Sequence, residues 1–305
     1  MSTPGLVIEG LNVTYRTGVR AVRELSLSIA AGEALALVGE SGCGKSSVVH
    51  AVLGLLPRGA RVSGSIRVAG HEAVGAPDRE MRRLRGLVVG YVPQDPFAAF
   101  DPLRRVGHHV AEAWRVHGRR PERGEVARLL GEHGIPDPAR RLRQWPHQWS
   151  GGMLQRATVA AATAHRPPLI VADEPTSALD TDRAHAVLAD LRRSDASLLL
   201  VSHDLPLVAK HADRVAVCYA GAVVETGPAA SVLGAARHPY TKALLAAVPE
   251  PGAGLPVPLP GSPPLTGAEV SGCAFAPRCP LAAERCGQEA PVLAGGVACW
   301  AAGDG

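Results

Sequence analysis

The sequence predicts an α/β fold with a helical subdomain inserted into it. Short apolar runs of strand length alternate with amphipathic helical runs over the first 250 residues. An arginine-rich helical block occupies about residues 103–165, and strand signals continue after it. Strands on both sides of a helical block indicate an α/β core that is interrupted by an inserted subdomain.

The elements follow in chain order. A Gly-rich turn after residues 34–38 leads into a helix predicted from Lys45 to about Leu56. The inserted block has helix breaks at Pro121, Gly134, Pro136 and Pro146. Strands are predicted at residues 7–13, 34–38, 66–68, 88–92, 169–172, 198–201, 215–219 and 223–225.

Composition narrows the class of protein. With 46% hydrophobic and 20% charged residues, the 305-residue chain is globular rather than disordered. A net charge of +4 and 4% aromatic residues argue against a nucleic-acid partner. No apolar run approaches the ~20 residues that span a bilayer, and the N-terminus lacks the pattern of a secretion signal. We therefore expect a cytoplasmic chain that reaches a membrane only through partners.

Residues 39–46, GESGCGKS, fit the phosphate-loop pattern between a strand and a helix. Glycines let the backbone wrap closely around phosphate oxygens, and successive N–H groups at a helix N-terminus form an anion site. Lys45 would reach the β- and γ-phosphates, and Ser46 would ligate Mg²⁺. The nucleotide-binding residues predicted here are Gly39, Glu40, Ser41, Gly42, Cys43, Gly44, Lys45, Ser46 and Ser47.

Two carboxylates, Asp173 and Glu174, follow the apolar run at 169–172. In a parallel α/β sheet, ligands bind beyond the carboxyl ends of the strands. Asp173 is therefore predicted to hold Mg²⁺, and Glu174 to orient and polarise the attacking water.

A second anion-binding helix start is predicted at Ser150, Gly151 and Gly152, just before the helical run LQRATVAAATA. One chain would then carry two phosphate-facing surfaces. The absence of a second nucleotide domain in this sequence suggests that this surface serves the nucleotide of a partner.

Taken in order, these motifs resemble those of the ATP-binding subunits of ABC transporters over residues 5 to about 250. Ser150–Gly152 is similar to the family signature, and Ser177–Asp180 resembles the D-loop. The resemblance implies that Gln94 senses Mg²⁺, that His203 contacts the γ-phosphate and that Tyr15 stacks on adenine.

The resemblance implies a P-loop NTPase core of ABC type, with an antiparallel β subdomain and a Cys-rich C-terminal tail. The expected domains are 1–248 and 249–305, the second beginning with a Pro/Gly-rich linker. The expected catalytic residues are Lys45, Gln94, Glu174 and His203, with Mg²⁺ held by Ser46, Gln94 and Asp173. Asp180 joins the nucleotide-binding set.

The same resemblance implies the partners and the location. Two transmembrane permease subunits and a second ATP-binding subunit, a paralogue rather than a copy, would join this chain at the cytoplasmic face of the cell membrane. An extracytoplasmic solute-binding protein would act with them indirectly. The signature departs from the family at Trp149, where the family usually has Leu, and at Met153, where many members have Gln. These departures question how well this chain supports the nucleotide site of the second ATP-binding subunit.

GLLPRGARVSGSI, PHQWSGGMLQR and His238–Thr241 resemble the dipeptide, oligopeptide and nickel importer branch. Some members of that branch hold a four-iron four-sulfur cluster on late cysteines. Here Cys273, Cys279, Cys286 and Cys299 are spaced more widely than zinc pairs usually are. An iron–sulfur cluster, a zinc ion and unligated thiols all remain open.

The function expected is ATP hydrolysis that energises import of short peptides. Nickel or another solute is the alternative cargo. Two further classes remain less favoured: a soluble ABC ATPase of DNA repair or translation, which would need a coiled coil or a basic surface, and an iron–sulfur redox sensor with a nucleotide switch.

Overall fold

Two β-sheets with helices packed around them form this protein in a computed structural model that describes residues 5–177, 179–249, 257–259, 261–264 and 270–302. The predicted α/β class is confirmed. Much of the predicted linker, residues 250–256, 260 and 265, lies outside the described residues, as do residues 266–269 that follow it.

The strands of the described ranges are β1 (Leu6–Thr14), β2 (Arg20–Ile29), β3 (Ala34–Val38), β4 (Arg61–Val68), β5 (His71–Glu72), β6 (Val89–Val92), β7 (Leu169–Asp173), β8 (Ser197–Val201), β9 (Arg214–Tyr219) and β10 (Ala222–Pro228). The helices of the same ranges are α1 (Lys45–Val52), α2 (Asp78–Leu87), α3 (Val106–Arg115), α4 (Glu125–Glu132), α5 (Pro138–Arg141), α6 (Gly151–Thr163), α7 (Thr181–Arg192), α8 (Leu205–His211), α9 (Ala229–Gly234), α10 (Pro239–Ala246) and α11 (Glu284–Gln288). Short 3₁₀ turns occupy Pro146–Gln148 and Ala276–Arg278.

The larger sheet has the order β10-β9-β3-β8-β7-β6 and is parallel except for β10 at its edge. Every residue of β3 is buried because the sheet is covered on both faces. Leu35 and Leu37 face one apolar cluster with α1, whereas Ala34, Ala36 and Val38 face another with α7 and α8. This arrangement fixes the carboxyl end of β3 in the middle of the molecule.

The smaller sheet, β2-β1-β4-β5, is antiparallel. Inward side chains such as Leu6, Ile8 and Val22 are fully buried in the same cluster as α1. It therefore covers one side of the β3–α1 junction.

Helix α1 ends at Val52, so the prediction that it reaches Leu56 is wrong at the C-terminal end. Gly54 adopts φ 60°, and its N–H bonds the Ala51 carbonyl while Leu55 N–H bonds the His50 carbonyl. This pair of bonds is the Schellman motif, which closes a helix at a left-handed glycine.

Helices α3 to α6 lie between β6 and β7, and α3, α4 and α6 share an apolar cluster of their own. Phe100, Trp114, Trp149 and Leu154 are buried in it. No helix in the described ranges is long and apolar enough to cross a membrane.

The tail packs on the larger sheet. Phe275 is 1% exposed and lies among Tyr219, Tyr240 and His238. The backbone N–H of Ala298 donates to the Val224 carbonyl, which joins the tail to β10. Because aromatic burial of this extent dominates local stability, the tail is part of the core.

We predict that Phe275→Ala lowers the free energy of unfolding by about 3–5 kcal/mol, because it removes a fully buried ring. Urea unfolding of the full chain measures the change. Leu281→Ala, at a residue that is 54% exposed in the same tail, is the matched control and should change stability by less than about 0.5 kcal/mol. Equal effects of the two substitutions would contradict the packing of the tail.

Candidate functional site

A cavity of about 630 Å³ opens at the carboxyl ends of β3, β7 and β8. This is the edge at which parallel sheets bind ligands. The predicted residues that line it are Tyr15, Gly39, Glu40, Ser41, Gly42, Gly44, Lys45, Ser46, Ser47, Gln94, Glu174 and His203.

The phosphate loop needs glycine at two positions where the backbone is approached closely. Gly39 has φ 149°, and a Cβ there would lie 2.2 Å from the Cys218 carbonyl oxygen. Gly44 has φ 104°, and a Cβ there would lie 2.3 Å from the Ala21 carbonyl oxygen. Any side chain at either position would therefore displace the loop.

Lys45 is only 6% exposed, and its Nζ donates to the carbonyls of Gly39 (2.8 Å) and Glu40 (2.9 Å). Its positive charge is thus held inside the loop. The Tyr15 hydroxyl hydrogen-bonds the Ser47 hydroxyl at 2.8 Å, which fixes the ring at the border of the cavity.

Asp173 ends β7 and is 4% exposed. Burial raises its pKa above the usual value, although a hydrogen bond from Ser46 opposes the rise. Its Oδ1 is buried and has no hydrogen-bond partner in the described part of the chain. An orphaned carboxylate oxygen beside a serine hydroxyl is the hard oxygen chemistry that Mg²⁺ takes, so these residues fit that ion.

Glu174 adopts φ 45°, a left-handed conformation that is costly for a residue with a Cβ. Its Oε2 accepts from His203 Nδ1 at 3.0 Å and from Gln94 Nε2 at 3.4 Å. Strain of this kind is retained where the surrounding structure enforces it, here to point a carboxylate into the cavity. The side chains of Glu174, His203 and Gln94 therefore form one hydrogen-bonded group.

The structure does not bring the signature and D-loop residues to this cavity. Ser150 caps α6, accepting from the Met153 N–H at 3.3 Å, and Asp180 caps α7, accepting from the Arg183 N–H at 3.0 Å. Gly151 and Gly152 form the first turn of α6. Within the described D-loop, which excludes Ala178, Asp180 thus serves as a helix cap.

Cys43 is in the loop but does not line the cavity, and it is buried. A hydrogen bond with Cys218 is the largest cause that lowers the pKa of Cys43 to about 7, and burial acts in the opposite direction. Trp149, which departs from the family signature, is 5% exposed and packs among the helices α3 to α6.

The four late cysteines are free and half-buried. Burial raises the pKa of Cys273 and of Cys279, which keeps these thiols protonated. Among the described residues, no three or more His, Cys, Asp or Glu side chains are grouped so that they could hold a metal ion. The prediction of an iron–sulfur or zinc site therefore gains no support.

Two residues that were not predicted as site residues, one in α10 and one in the C-terminal tail, contact the phosphate loop. The Tyr240 hydroxyl accepts from the Glu40 N–H at 2.8 Å, and Arg278 is ion-paired with the Glu40 carboxylate. They lie 200 and 238 residues from Glu40, so no local pattern could connect them. The sequence signals near them were His238–Thr241, which carries part of the resemblance to the importer branch, and the late cysteines, one of which, Cys279, directly follows Arg278.

Comparison with known families gives two matches. Residues 22–177 match the model of the ABC transporter family, and residues 224–286 match that of the oligopeptide/dipeptide transporter C-terminal region. The second match includes Tyr240 and Arg278.

Curated relatives agree with these matches. The oligopeptide transport ATP-binding protein OppD of Mycobacterium tuberculosis is 43% identical over 95% of this chain, and the chain spans about half (50%) of its length. The dipeptide transport ATP-binding proteins DppD of Bacillus subtilis and Escherichia coli are 42% and 43% identical over 90% of this chain, covering 86% and 87% of their own lengths.

Solved structures share the fold. CbiO1 from Clostridium perfringens, part of an ABC transporter complex, has a TM-score of 0.65 and 25% identity over 76% of this chain and 92% of its own. A dimeric ATP-binding cassette bound to ADP and phosphate has a TM-score of 0.66 and 24% identity over 73% of this chain and 98% of its own. The chain belongs to the ABC transporter family of ATP-binding proteins and carries the C-terminal region of the oligopeptide/dipeptide transporter branch.

Proposed function

We propose that this chain hydrolyses ATP to energise the import of short peptides across the cytoplasmic membrane. The observation that carries the proposal is the convergence of the phosphate loop with Glu174 and His203 in one cavity, while Asp173 is hydrogen-bonded to Ser46 of the loop. The peptide cargo is supported by the relatives named as oligopeptide and dipeptide transport proteins and by the matching C-terminal region.

Nucleotide binding depends on the loop and on Tyr15. The loop N–H groups at the start of α1 would donate to the phosphate oxygens, and the charge of Lys45 would oppose that of the triphosphate. The ring of Tyr15, which is fixed at the border of the cavity by Ser47, is available to stack on the adenine.

Hydrolysis depends on the strained carboxylate. Glu174 would accept a hydrogen bond from water and orient it towards the γ-phosphorus, so that the oxygen attacks while the bond to the ADP oxygen breaks. His203 and Gln94 hold the carboxylate through the hydrogen bonds described above. Ser46, Asp173 and Gln94 would hold Mg²⁺, which when bound neutralises charge on the phosphate oxygens.

A second ATP-binding subunit completes the proposal. The glycine-rich start of α6 lies apart from the cavity of its own chain and is capped by Ser150, so it suits a nucleotide held by another subunit. We infer a head-to-tail pair with a paralogue, docked on two permease subunits at the cytoplasmic face of the membrane. Closure around ATP would drive the permeases, and hydrolysis would reopen the pair.

The function is tested with the assembled transporter. The tagged full chain is purified from detergent-solubilised membranes, its partners are identified by mass spectrometry, and the assembly is placed in vesicles. We expect two permeases, a second ATP-binding protein and ATP-dependent uptake of a radiolabelled dipeptide. Uptake of nickel without peptide uptake, or a chain that purifies without membrane proteins, would overturn the proposal.

Glu174→Gln should leave ATP binding near the wild-type value but lower turnover about 10³-fold, because it removes a positioned base and keeps the shape of the side chain. Phosphate release by the purified assembly measures turnover. Glu80→Gln, at an exposed residue of α2, is the control and should hydrolyse ATP normally. Turnover within a few-fold of wild type in Glu174→Gln would refute the role of Glu174.

Asp173→Asn should raise the Mg²⁺ concentration needed for half-maximal hydrolysis by roughly 10–100-fold, because a charged contact worth about 1.5–3 kcal/mol is lost. Titration of Mg²⁺ at saturating ATP measures this concentration. Complete chelation of Mg²⁺ should abolish ATP hydrolysis by the wild type. Asp78→Asn, at an exposed residue of α2, should keep the wild-type midpoint. An unchanged midpoint in Asp173→Asn would exclude Asp173 from the metal site.

A further inference from the structure

A residue of the C-terminal tail forms an ion pair with the phosphate loop. Arg278 Nη1 lies 2.7 Å from Glu40 Oε2, and its Nη2 lies 3.1 Å from Glu40 Oε1. Two parallel bonds of this kind use both ends of the guanidinium and fix its orientation. The pair therefore holds the tail and the loop in one defined geometry.

The ion pair is shielded from solvent. The Arg278 side chain is 4% exposed and that of Glu40 is 23% exposed. The guanidinium carbon lies 5.8 Å from the ring centres of both Tyr219 and Phe275, and Nη1 also donates to the Tyr219 hydroxyl at 3.2 Å. Because the surroundings are largely apolar, each charge would be costly without the other.

The side chain of Glu40 places a negative charge in a loop that is proposed to bind an anion. Glu40 lines the nucleotide cavity, and its backbone carbonyl accepts a hydrogen bond from Lys45 Nζ at 2.9 Å. An uncompensated carboxylate at this position would repel a triphosphate across a medium of low dielectric. Arg278 supplies the opposite charge from the far end of the chain.

We propose that Arg278 is a positioning residue of the nucleotide site, which neutralises Glu40 and holds the phosphate loop open to ATP. This inference rests on the proposed ATPase function and assigns part of the nucleotide affinity to the tail. By linkage, anything that displaces the tail from Tyr219 and Tyr240 weakens ATP binding, and ATP binding in turn stabilises the tail.

The ion pair makes specific demands on the side chain at 278. Arginine can satisfy both carboxylate oxygens and the Tyr219 hydroxyl at once, whereas lysine presents a single charged group. Arg278→Lys should therefore retain charge compensation but lose the fixed orientation. Arg278→Gln should lose both.

The test measures ATP binding by the isolated full-length chain in the presence of Mg²⁺, by calorimetry. Arg278→Gln leaves the Glu40 carboxylate unpaired, so the dissociation constant should rise about tenfold or more, which equals ~1.4 kcal/mol. Adding Glu40→Gln removes that carboxylate, so the double variant should return to within about threefold of the wild type.

The rescue distinguishes charge compensation from a merely structural contact. If Arg278 only holds the tail in place, the double variant binds ATP as poorly as Arg278→Gln, and the proposal is overturned. Wild-type affinity in Arg278→Gln overturns it as well. Arg285→Gln, which removes an exposed arginine paired with Glu289 in the same tail, is the matched control and should bind ATP normally.

Glu40→Gln alone keeps the test decisive if Arg278→Gln does not fold. Its amide oxygen still accepts from Arg278, and the guanidinium then adds positive charge beside the phosphates. ATP affinity should therefore exceed that of the wild type, and an affinity equal to or below the wild-type value would refute the proposal.

Binding to the isolated chain needs neither hydrolysis nor transport. If Arg278→Gln weakens ATP binding and the double variant restores it, but no peptide is imported, only the proposed function is refuted. If the chain hydrolyses ATP but the variants do not change ATP affinity in this way, only the role of Arg278 is refuted.

Discussion

The turn from β3 into α1 is the constraint on which the rest of the structure depends. A loop that presents its N–H groups to phosphates must leave a buried strand and enter a helix within a few residues. The backbone of Cys218 approaches it at Gly39, and that of Ala21 approaches it at Gly44, so the loop is enclosed by β9 on one side and β2 on the other. Both sheets thus contribute to its shape. The positions of Gln94, Glu174 and His203 follow from where the neighbouring parallel strands end.

The sequence predicted those parts of the fold whose burial leaves a clear pattern. Strands β3 and β7 consist almost entirely of apolar residues because both faces of the larger sheet are covered, and the topology places the acidic pair Asp173 and Glu174 at the carboxyl end of β7. Helix α2 was not predicted, since its ten residues bury only Met81 and Leu84. The ion pair of Arg278 was also missed, because pairing between segments 238 residues apart leaves no local trace. Most of the cavity could be predicted because it is built from motifs, whereas its support from the tail could not.

The signature region illustrates how one segment meets two demands. Trp149 is buried among α3 to α6, while the next residue, Ser150, caps α6 with its side chain at the surface. Trp149, which stands where the family signature usually has leucine, therefore contributes its indole to the core of the helical subdomain.

The distance in sequence between the loop and its supports also bears on how the protein is made. Strand β3 ends at Val38, but its neighbours β8 and β9 are residues 197–219, and Arg278 comes later still. During synthesis the loop leaves the ribosome long before the strands and the side chain that hold it. Contacts so remote in sequence form slowly, because each must first close a long loop of chain. A nascent chain therefore lacks the ion pair with Glu40 until the segment that contains Arg278 has emerged, so we expect products truncated before this segment to compete poorly for ATP.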